Sequence, residues 1–438
     1  MKSFFWIICI VIIAVAVRVL YNLHSPLYET TGDTVSYYLT AKMMIKNRVV
    51  VDPWRTPVYP MILASPFAFT GKMMPDNVVG VYIPEFWDIR VLQSAGGVLM
   101  VVLLFLLLIR LRFTPRVAGL YCLFIACDNT FLLFEHTMLT EAFAALWLVS
   151  TILLTVRLLS RFSAPAFISF VFMWVIGTFL RPSFIALPIV LSAILVWKYW
   201  NRNIIVWSLL GLFVYGAVLI GYSFANARTY DYPGISRISD VNLWGKILAL
   251  RLPIVRIPDA RGVKPMLQAT IDMKSDDPWQ AFRQFPELYD ATYAAPFHQF
   301  ITEATRQSIL PYVFESTGQL PGALVSKSDV VDVTATNRFN WLFGPLQLAY
   351  QYAMYINFTV IVAFPVFLYE AWKKKNTYNI ALVLFVLVGL YQIGVGVYLG
   401  YNDYARHISI AQPFLYLTSF VVWYRLIMHV KNSVIKRA

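Results

Sequence analysis

Apolar runs about 20 residues long recur along the sequence, and this feature constrains the fold more than any other. A helix that crosses a membrane needs about 20 mainly apolar residues, because it rises ~1.5 Å per residue across a hydrocarbon core of ~30 Å. The chain is 59% hydrophobic and only 13% charged, which is too apolar for an ordinary water-soluble domain. We therefore predict an all-α polytopic membrane protein with about ten transmembrane helices. These are placed at residues 4–23, 89–109, 117–135, 139–156, 164–180, 184–200, 204–224, 342–371, 378–400 and 408–428.

The basic residues between the apolar runs indicate how the chain is oriented, because lysine and arginine concentrate in short cytoplasmic turns. With the N-terminus inside, every short basic turn falls on the cytoplasmic side. The net charge of +13 therefore reports orientation, and we predict no nucleic-acid partner. We expect a multi-pass protein of the bacterial inner membrane whose first helix is retained, with cleavage after Ala14-Val15-Ala16 as the alternative. The basic turns contain Arg110, Arg112, Arg116, Arg157, Arg161, Lys198, Arg202, Lys373, Lys374, Lys375, Lys431, Lys436 and Arg437.

Two long segments then lie outside, at residues 24–88 and 225–341. In the first, residues 35–46 have helical periodicity and residues 58–69 are apolar enough to lie on the membrane surface, so interfacial helices are predicted. The second mixes aromatic and charged residues at helical spacing, which predicts a small, mostly helical outer domain. The predicted organisation is a transmembrane catalytic module at 1–224 that includes the first outer loop, the outer domain at 225–341, and C-terminal transmembrane helices at 342–438.

The first outer loop contains the charged residues best placed for chemistry. Asp33 begins a predicted helix, whose positive N-terminal end stabilises an ionised carboxylate, so this residue could act as a general base. Capping the helix is the alternative role for it. Downstream, the stretch from Trp54 to Pro60 brings a cation, Arg55, and aromatic rings to the same membrane interface.

Further motifs lie at the predicted outer ends of other spans: Thr140-Glu141, Arg181-Pro182-Ser183 and Asp403-Tyr404-Ala405-Arg406-His407. Together with Asp33, Tyr37, Ala41 and the Arg-x-Pro-x-Tyr-Pro sequence at 55–60, they resemble the C superfamily of membrane glycosyltransferases. That family includes protein O-mannosyltransferases and the aminoarabinose transferase of lipid A. The resemblance covers nearly the whole chain. One departure is that Gly32 and Thr34 flank Asp33, where many relatives have an adjacent Asp-Glu pair.

The resemblance implies a glycosyltransferase that moves a sugar from a polyprenyl-phosphate-linked donor to a hydroxyl group. The acceptor would be a glycan, a lipid or a protein at the outer face of the bilayer, and a single displacement would invert the anomeric centre. A divalent cation held by Glu141 with Asp33 is compatible with the family. Guanidinium groups suit the phosphate because they present paired donors. The implied roles are base for Asp33, phosphate binding for Arg55, Arg181 and Arg406, and substrate contact for Tyr37, Tyr59 and His407.

Other interpretations of these residues stay open at this stage. Arg181 and Arg406 could mark the ends of spans by reaching towards water, and the tyrosines could belong to the aromatic belt at the membrane surface. Glu135 and His136 are interpreted as ordinary polar loop residues. A flippase or transporter of a lipid-linked glycan, a glycan polymerase or ligase, and a non-enzymatic assembly partner are the alternative functions. A transporter is expected to carry charged or helix-breaking positions near mid-membrane in paired halves.

Overall fold

The computed structural model describes residues 2–26, 32–75, 86–252, 254, 257, 259, 262–324, 336, 338–400 and 404–435. Within these ranges every regular element is a helix, so the predicted all-α fold is confirmed. Asp403 of the motif before the last span lies outside the described residues. The α-helices are α1 (Lys2–His24), α2 (Gly32–Asn47), α3 (Val58–Thr70), α4 (Phe86–Arg110), α5 (Pro115–Ala126), α6 (Asn129–His136), α7 (Glu141–Ser160), α8 (Ala164–Leu180), α9 (Leu187–Tyr199), α10 (Arg202–Tyr230), α11 (Arg237–Ala249), α12 (Val263–Asp272), α13 (Trp279–Gln284), α14 (Ala294–Gln307), α15 (Ile309–Gly318), α16 (Leu320–Leu324), α17 (Asn340–Ala353), α18 (Thr359–Lys373), α19 (Thr377–Leu399) and α20 (Tyr404–Ile435).

Seven helical segments in the described part of the chain are long and apolar enough to cross a membrane. Helices α5 and α6 add an eighth if this pair, which is bent by 49°, counts as one span. Asp128 lies at the bend, where its side chain accepts a hydrogen bond from the backbone N–H of Thr130 at 2.9 Å and so caps α6. The seven segments are Lys2–His24, Phe86–Arg110, Glu141–Ser160, Pro182–Tyr199, Arg202–Tyr230, Thr377–Leu399 and Arg406–Ile427.

Three of the ten predicted spans do not form a single helix of membrane-crossing length, and the first of them, at 117–135, is the bent pair α5 and α6. The segment at 164–180 is α8, whose 17 residues reach ~26 Å and fall short of a full hydrocarbon core. It ends before Arg181, since a residue that precedes proline disfavours the helical conformation. The segment at 342–371 is divided into α17 and α18 by a 3-10 turn at Met354–Phe358. Each of these two helices also contains a proline, which removes a backbone hydrogen bond.

Helices α2 and α3 form in the first long loop and pack against each other and against the membrane body. Tyr38 and Tyr59 are completely buried between them and the rest of the main core. Helix α3 ends at Gly71, whose φ of +68° is a left-handed conformation that glycine adopts without steric cost. The loop is therefore a folded part of the protein, and it holds the first charged residues of the candidate site in place.

We call helices α11–α16 the intermediate segment, and within it α11–α15 build a second hydrophobic core. Trp244, Phe282 and Phe297 are completely buried in it. Trp54 of the first long loop packs against this core and stacks on Trp279, with ring centroids 6.4 Å apart. The intermediate segment is thereby joined to the loop that carries Arg55. The division of the chain into three domains stays a prediction.

Candidate active site

Charged side chains from four remote parts of the chain form one continuous cluster, which we call the ionic network. Asp33 Oδ1 accepts a hydrogen bond from Arg55 Nη2 at 2.5 Å, and Oδ2 accepts one from Arg406 Nη1 at 2.9 Å. Glu141 Oε1 accepts from Arg406 Nε at 2.8 Å and from Arg181 Nη1 at 2.6 Å. Arg406 therefore connects the two carboxylates, and the five predicted charged residues of the site lie together.

The ends of helices bring these side chains to one place. Asp33 and Glu141 stand in the first turns of α2 and α7, where the helix dipole favours a negative charge. Arg406 lies in the first turn of α20, and Arg181 caps the C-terminal end of α8. Because α7 runs from Glu141 to Ser160, the ionic network lies at the end of this helix remote from the basic residue Arg157.

A tight turn before α3 fixes the position of Arg55. Asp52 Oδ1 accepts hydrogen bonds from the backbone N–H groups of Trp54 and Arg55, each at 2.8 Å. The Arg55 side chain then donates from Nε to Ser36 Oγ at 2.7 Å, and its guanidinium lies 4.1 Å from the centroid of the Tyr37 ring. This stacking is a cation–π contact, which orients the guanidinium towards Asp33.

The charges within the ionic network do not balance. Among the residues that the structure describes, three guanidinium groups face two carboxylates in this network, which leaves one positive charge in excess within that set. Burial alone would raise the pKa of Asp33, but the charges of Arg55 and Arg406 outweigh it and hold this pKa well below its ordinary value of 3.8. The Asp33 side chain is 30% exposed and that of Glu141 only 1%, so the network is accessible from the side of Asp33.

His407 and Tyr37 border the ionic network, whereas Tyr59 lies behind it. The Nδ1 atom of His407 is 3.3 Å from Arg181 Nη2, and since a guanidinium can only donate, Nδ1 accepts. Tyr59 is completely buried, packs edge-on against Tyr37 and donates its hydroxyl hydrogen to Gln93 Oε1 at 2.8 Å. The structure therefore gives Tyr59 a packing position, and its contact with a substrate stays a prediction.

The two carboxylates do not form an open pair of ligands for a divalent cation. The Arg406 guanidinium lies between them and donates to both. Glu141 Oε2 is the buried oxygen of the network that has no hydrogen-bond partner among the described residues. No group of three or more His, Cys, Asp or Glu residues in the described ranges could hold a metal ion. The arrangement does not fit the predicted cation between Asp33 and Glu141, and no step is derived through one.

A second ion pair lies inside the membrane body and was missed by the sequence interpretation. Glu135 is not an ordinary loop residue: it ends α6, is 1% exposed and accepts a hydrogen bond from Arg18 of α1 at 2.5 Å. His136 is buried as well, with Nδ1 2.9 Å from the carbonyl oxygen of Leu132. Arg18 within the first span was the available signal, because a charge placed there needs a partner.

Gln93 of α4 connects the surroundings of this pair to those of the ionic network. Its Nε2 donates to the carbonyl oxygens of Glu135 and Thr137, both at 2.9 Å, while its Oε1 accepts from Tyr59. Gly97, one turn further along α4, leaves the space in which the Arg18–Glu135 pair lies, since a Cβ atom there would overlap both side chains. The fold of α4 thus depends on polar contacts at both places.

Comparisons with known proteins give a shared fold. No protein-family model matches the sequence, and no curated protein matches it. Two crystal structures of the Archaeoglobus fulgidus oligosaccharyltransferase are similar to it. The complex with zinc and sulfate has a TM-score of 0.50 and 14% identity over 99% of this chain and 51% of that one. The apo form has a TM-score of 0.51 and 13% identity over 99% of this chain and 52% of that one.

At this level of identity the likeness shows the fold alone, and the chain spans about half the length of the oligosaccharyltransferase. The likeness therefore concerns the helical fold and assigns no activity to this chain.

Proposed function

We propose that this chain is a membrane glycosyltransferase that moves a sugar from a polyprenyl-phosphate-linked donor to a hydroxyl group of an acceptor. The observation that carries the proposal is the convergence of Asp33 with Arg55, Arg181 and Arg406 in one partly accessible cluster. Such a cluster supplies the two things that glycosyl transfer needs, a base and a stabiliser of the departing phosphate. The fold shared with an oligosaccharyltransferase supports the same conclusion.

The excess positive charge of the ionic network is suited to the leaving group. In the reaction the acceptor oxygen bonds to the anomeric carbon while the bond from that carbon to the phosphate oxygen breaks, and its electron pair stays on the phosphate. Arg55 and Arg406 would donate to the phosphate oxygens on which this charge develops. The acceptor proton would pass to Asp33. A single displacement of this kind inverts the anomeric centre.

The donor itself would prepare Asp33 to act as a base. Without a donor, both oxygens of Asp33 accept from guanidinium groups, and its lowered pKa makes it a poor proton acceptor. A phosphate that takes over part of this hydrogen bonding would weaken the hold of the arginines on Asp33. The pKa of the carboxyl then rises towards its ordinary value, and one oxygen becomes available to the acceptor hydroxyl.

The distribution of basic residues supports an active site at the outer face of the membrane. The ionic network lies at the N-terminal end of α7, and Arg157 and Arg161 lie at the other end. Since basic turns favour the cytoplasmic side, the network would face the opposite leaflet. The donor would then be a lipid-linked sugar presented there, and the acceptor a glycan, a lipid or a protein; a bacterial inner membrane is the proposed location.

The decisive experiment compares the wild type with Asp33→Asn. The full chain is purified into lipid nanodiscs and incubated with radiolabelled polyprenyl-phosphate sugars and candidate acceptors. Loss of the base is expected to lower transfer by about 10²–10⁴-fold. Asp277→Asn, which changes an exposed carboxylate of the intermediate segment, is the matched control and should transfer at the wild-type rate. Equal rates in Asp33→Asn and wild type would remove Asp33 from the mechanism.

The Arg18–Glu135 pair favours one other candidate, a transporter or flippase of lipid-linked glycans. Ionisable groups inside a membrane body commonly belong to a transport path. A liposome assay separates the two functions, because a flippase moves a labelled lipid-linked glycan between leaflets without changing its sugar linkage. Translocation without transfer to any acceptor would favour the transporter.

A further inference from the structure

Lys246 of α11 is a buried cation whose partners are neutral. Only 1% of the residue is exposed to solvent. The ammonium group donates to Gln319 Oε1 at 2.6 Å and to Tyr404 Oη at 3.2 Å, and it lies 5.0 Å from the centroid of the Tyr404 ring. No carboxylate pairs with it among the described residues. A buried charge without an opposite charge is costly, so this position gains when an anion arrives.

Three other cations of the intermediate segment have different surroundings. Arg283 pairs with Asp277, and Arg306 pairs with Glu303. Arg237 donates to the backbone carbonyl oxygens of Leu288 and Tyr289. Each of these three cations therefore lies near a carboxylate, which for Arg237 is that of Asp240. Lys246 is therefore the cation in this group whose surroundings suit an incoming anion.

Lys246 lies beside the ionic network. Tyr404, its partner, is two residues from Arg406 in the first turn of α20. Gly396 of α19 packs against both Tyr404 and His407, and His407 accepts a hydrogen bond from Arg181. A continuous series of contacts thus runs from Lys246 to the arginines. Burial lowers the pKa of Lys246 to about 8, so the group is still mainly protonated at neutral pH.

We propose that Lys246 binds a second anionic group of the donor, next to the phosphate held by the arginines of the ionic network. This rests on the proposed glycosyltransferase function and narrows its substrate class. The shared chemistry is an oxyanion, and it has two sources. A diphosphate linker provides it on the neighbouring phosphate, and an acidic sugar provides it as a carboxylate. Gln319 and Tyr404 would position the ammonium, since each accepts one of its hydrogens.

The test measures binding, which does not depend on finding the acceptor. The full chain in nanodiscs is titrated with polyprenyl monophosphate and polyprenyl diphosphate of the same chain length. A second pair of probes is a polyprenyl monophosphate that carries either a neutral hexose or a uronic acid. The proteins are the wild type, Lys246→Met and Lys246→Arg. Lys274→Met, which changes an exposed lysine of the same segment, is the matched control.

The wild type is expected to bind the probe with the second oxyanion about tenfold more tightly, as one charge-assisted hydrogen bond provides. Lys246→Met should lose this preference, and Lys246→Arg and Lys274→Met should keep it. A diphosphate preference identifies the linker as the source, and a preference limited to the uronic acid identifies the sugar. Gln319 keeps the Tyr404 hydroxyl as a partner at 2.6 Å, so Lys246→Met should fold with an unchanged or higher Tm.

Four results would overturn the proposal. If Lys246→Met still prefers the probe with the second oxyanion, a group other than Lys246 binds that oxyanion. A wild type that binds all probes equally would show that no such site exists, and the glycosyltransferase proposal would still stand. A clearly lower Tm in Lys246→Met would assign the ammonium a structural role. If the wild type binds none of the lipid phosphates, the proposed function fails together with this inference.

Discussion

Two ionic clusters of this protein differ in charge balance and in access. The Arg18–Glu135 pair is one cation with one anion, and both side chains are at most 4% exposed. The ionic network has three cations and two anions, and Asp33 is 30% exposed. A balanced, enclosed pair has its charge neutralised within the fold, whereas an unbalanced, accessible cluster attracts an anion from outside. We therefore expect a structural role for the first cluster, and the ligand-binding role of the second stays part of the proposed function.

The largest expected effect comes from breaking the enclosed pair. Arg18→Met leaves Glu135 buried without its partner and should lower the free energy of unfolding by about 3–5 kcal/mol. The double variant Arg18→Met/Glu135→Leu should recover most of this loss, since it removes both charges. Reversible unfolding in detergent measures the free energies. A single variant as stable as the wild type would contradict a structural role for the pair.

Removing one cation from the ionic network should affect transfer instead of stability. Arg406→Gln leaves two guanidinium groups facing two carboxylates, so the free energy of unfolding should change little. Loss of one donor to the leaving phosphate should lower the rate of sugar transfer about 10²–10³-fold. Initial rates with a labelled lipid-linked donor measure this effect. The comparison fails if the variant unfolds easily yet transfers sugar at the normal rate per folded molecule.

A variant of Tyr59 tests the connection between the Arg18–Glu135 pair and the ionic network. Tyr59→Phe removes the hydrogen bond to Gln93 and leaves Gln93 Oε1 unsatisfied, which should cost about 1–2 kcal/mol of stability. Because the ring stays in place beneath Tyr37, the KM for the donor should remain close to that of the wild type. Thermal unfolding and donor titrations supply the two values. A large rise in KM at normal stability would instead make the hydroxyl a substrate ligand.

The ion pair of His298 with Asp240, in which the His298 side chain is 32% exposed, should have the smallest effect. The hydrogen bond between His298 and Asp240 raises the pKa of the imidazole above 6.5, and burial only partly opposes this rise. The protonated imidazole therefore stabilises the intermediate segment fully below pH 6.5, and this stability is lost as pH rises through the raised pKa. The change should stay below about 1 kcal/mol, since the side chain is partly solvated. Unfolding at pH 5.5 and 8.5 measures it, and His298→Gln should remove the difference; an equal pH dependence in that variant would contradict the assignment.

The helices were predictable where composition decides them. Long apolar runs predicted most of the membrane-crossing helices, because one run of lipid-compatible residues suffices to define a span. The short length of α8 and the break in 342–371 depended on proline and on 3-10 geometry, which a count of apolar residues does not register. The sequence of 117–135 predicts one span, but Asp128 caps a second helix within this segment and so divides the span.

The residues of the candidate site were easier to predict from the sequence than the contacts between them. Asp33, Arg55, Arg181 and Arg406 came from motifs and a family resemblance, and their roles stay predictions. That Arg406 would lie between Asp33 and Glu141 follows from tertiary packing, which spacing along the chain does not encode. A charged residue within a predicted span, such as Arg18, indicates that it has a partner. The sequence does not show which residue this is, because Glu135 lies 117 positions away. Lys246 carries no local signal, since its partners Gln319 and Tyr404 lie 73 and 158 positions away in the sequence.

The residues of the ionic network are synthesised at different times, because they are far apart in the sequence. Asp33 and Arg55 emerge early, Glu141 and Arg181 follow, and Arg406 belongs to the last long helix. During translation the early carboxylates are inserted without the cation that joins them. A ribosome-bound intermediate therefore holds an incomplete cluster, and the phosphate site that we propose for the ionic network is complete only after α20 has docked.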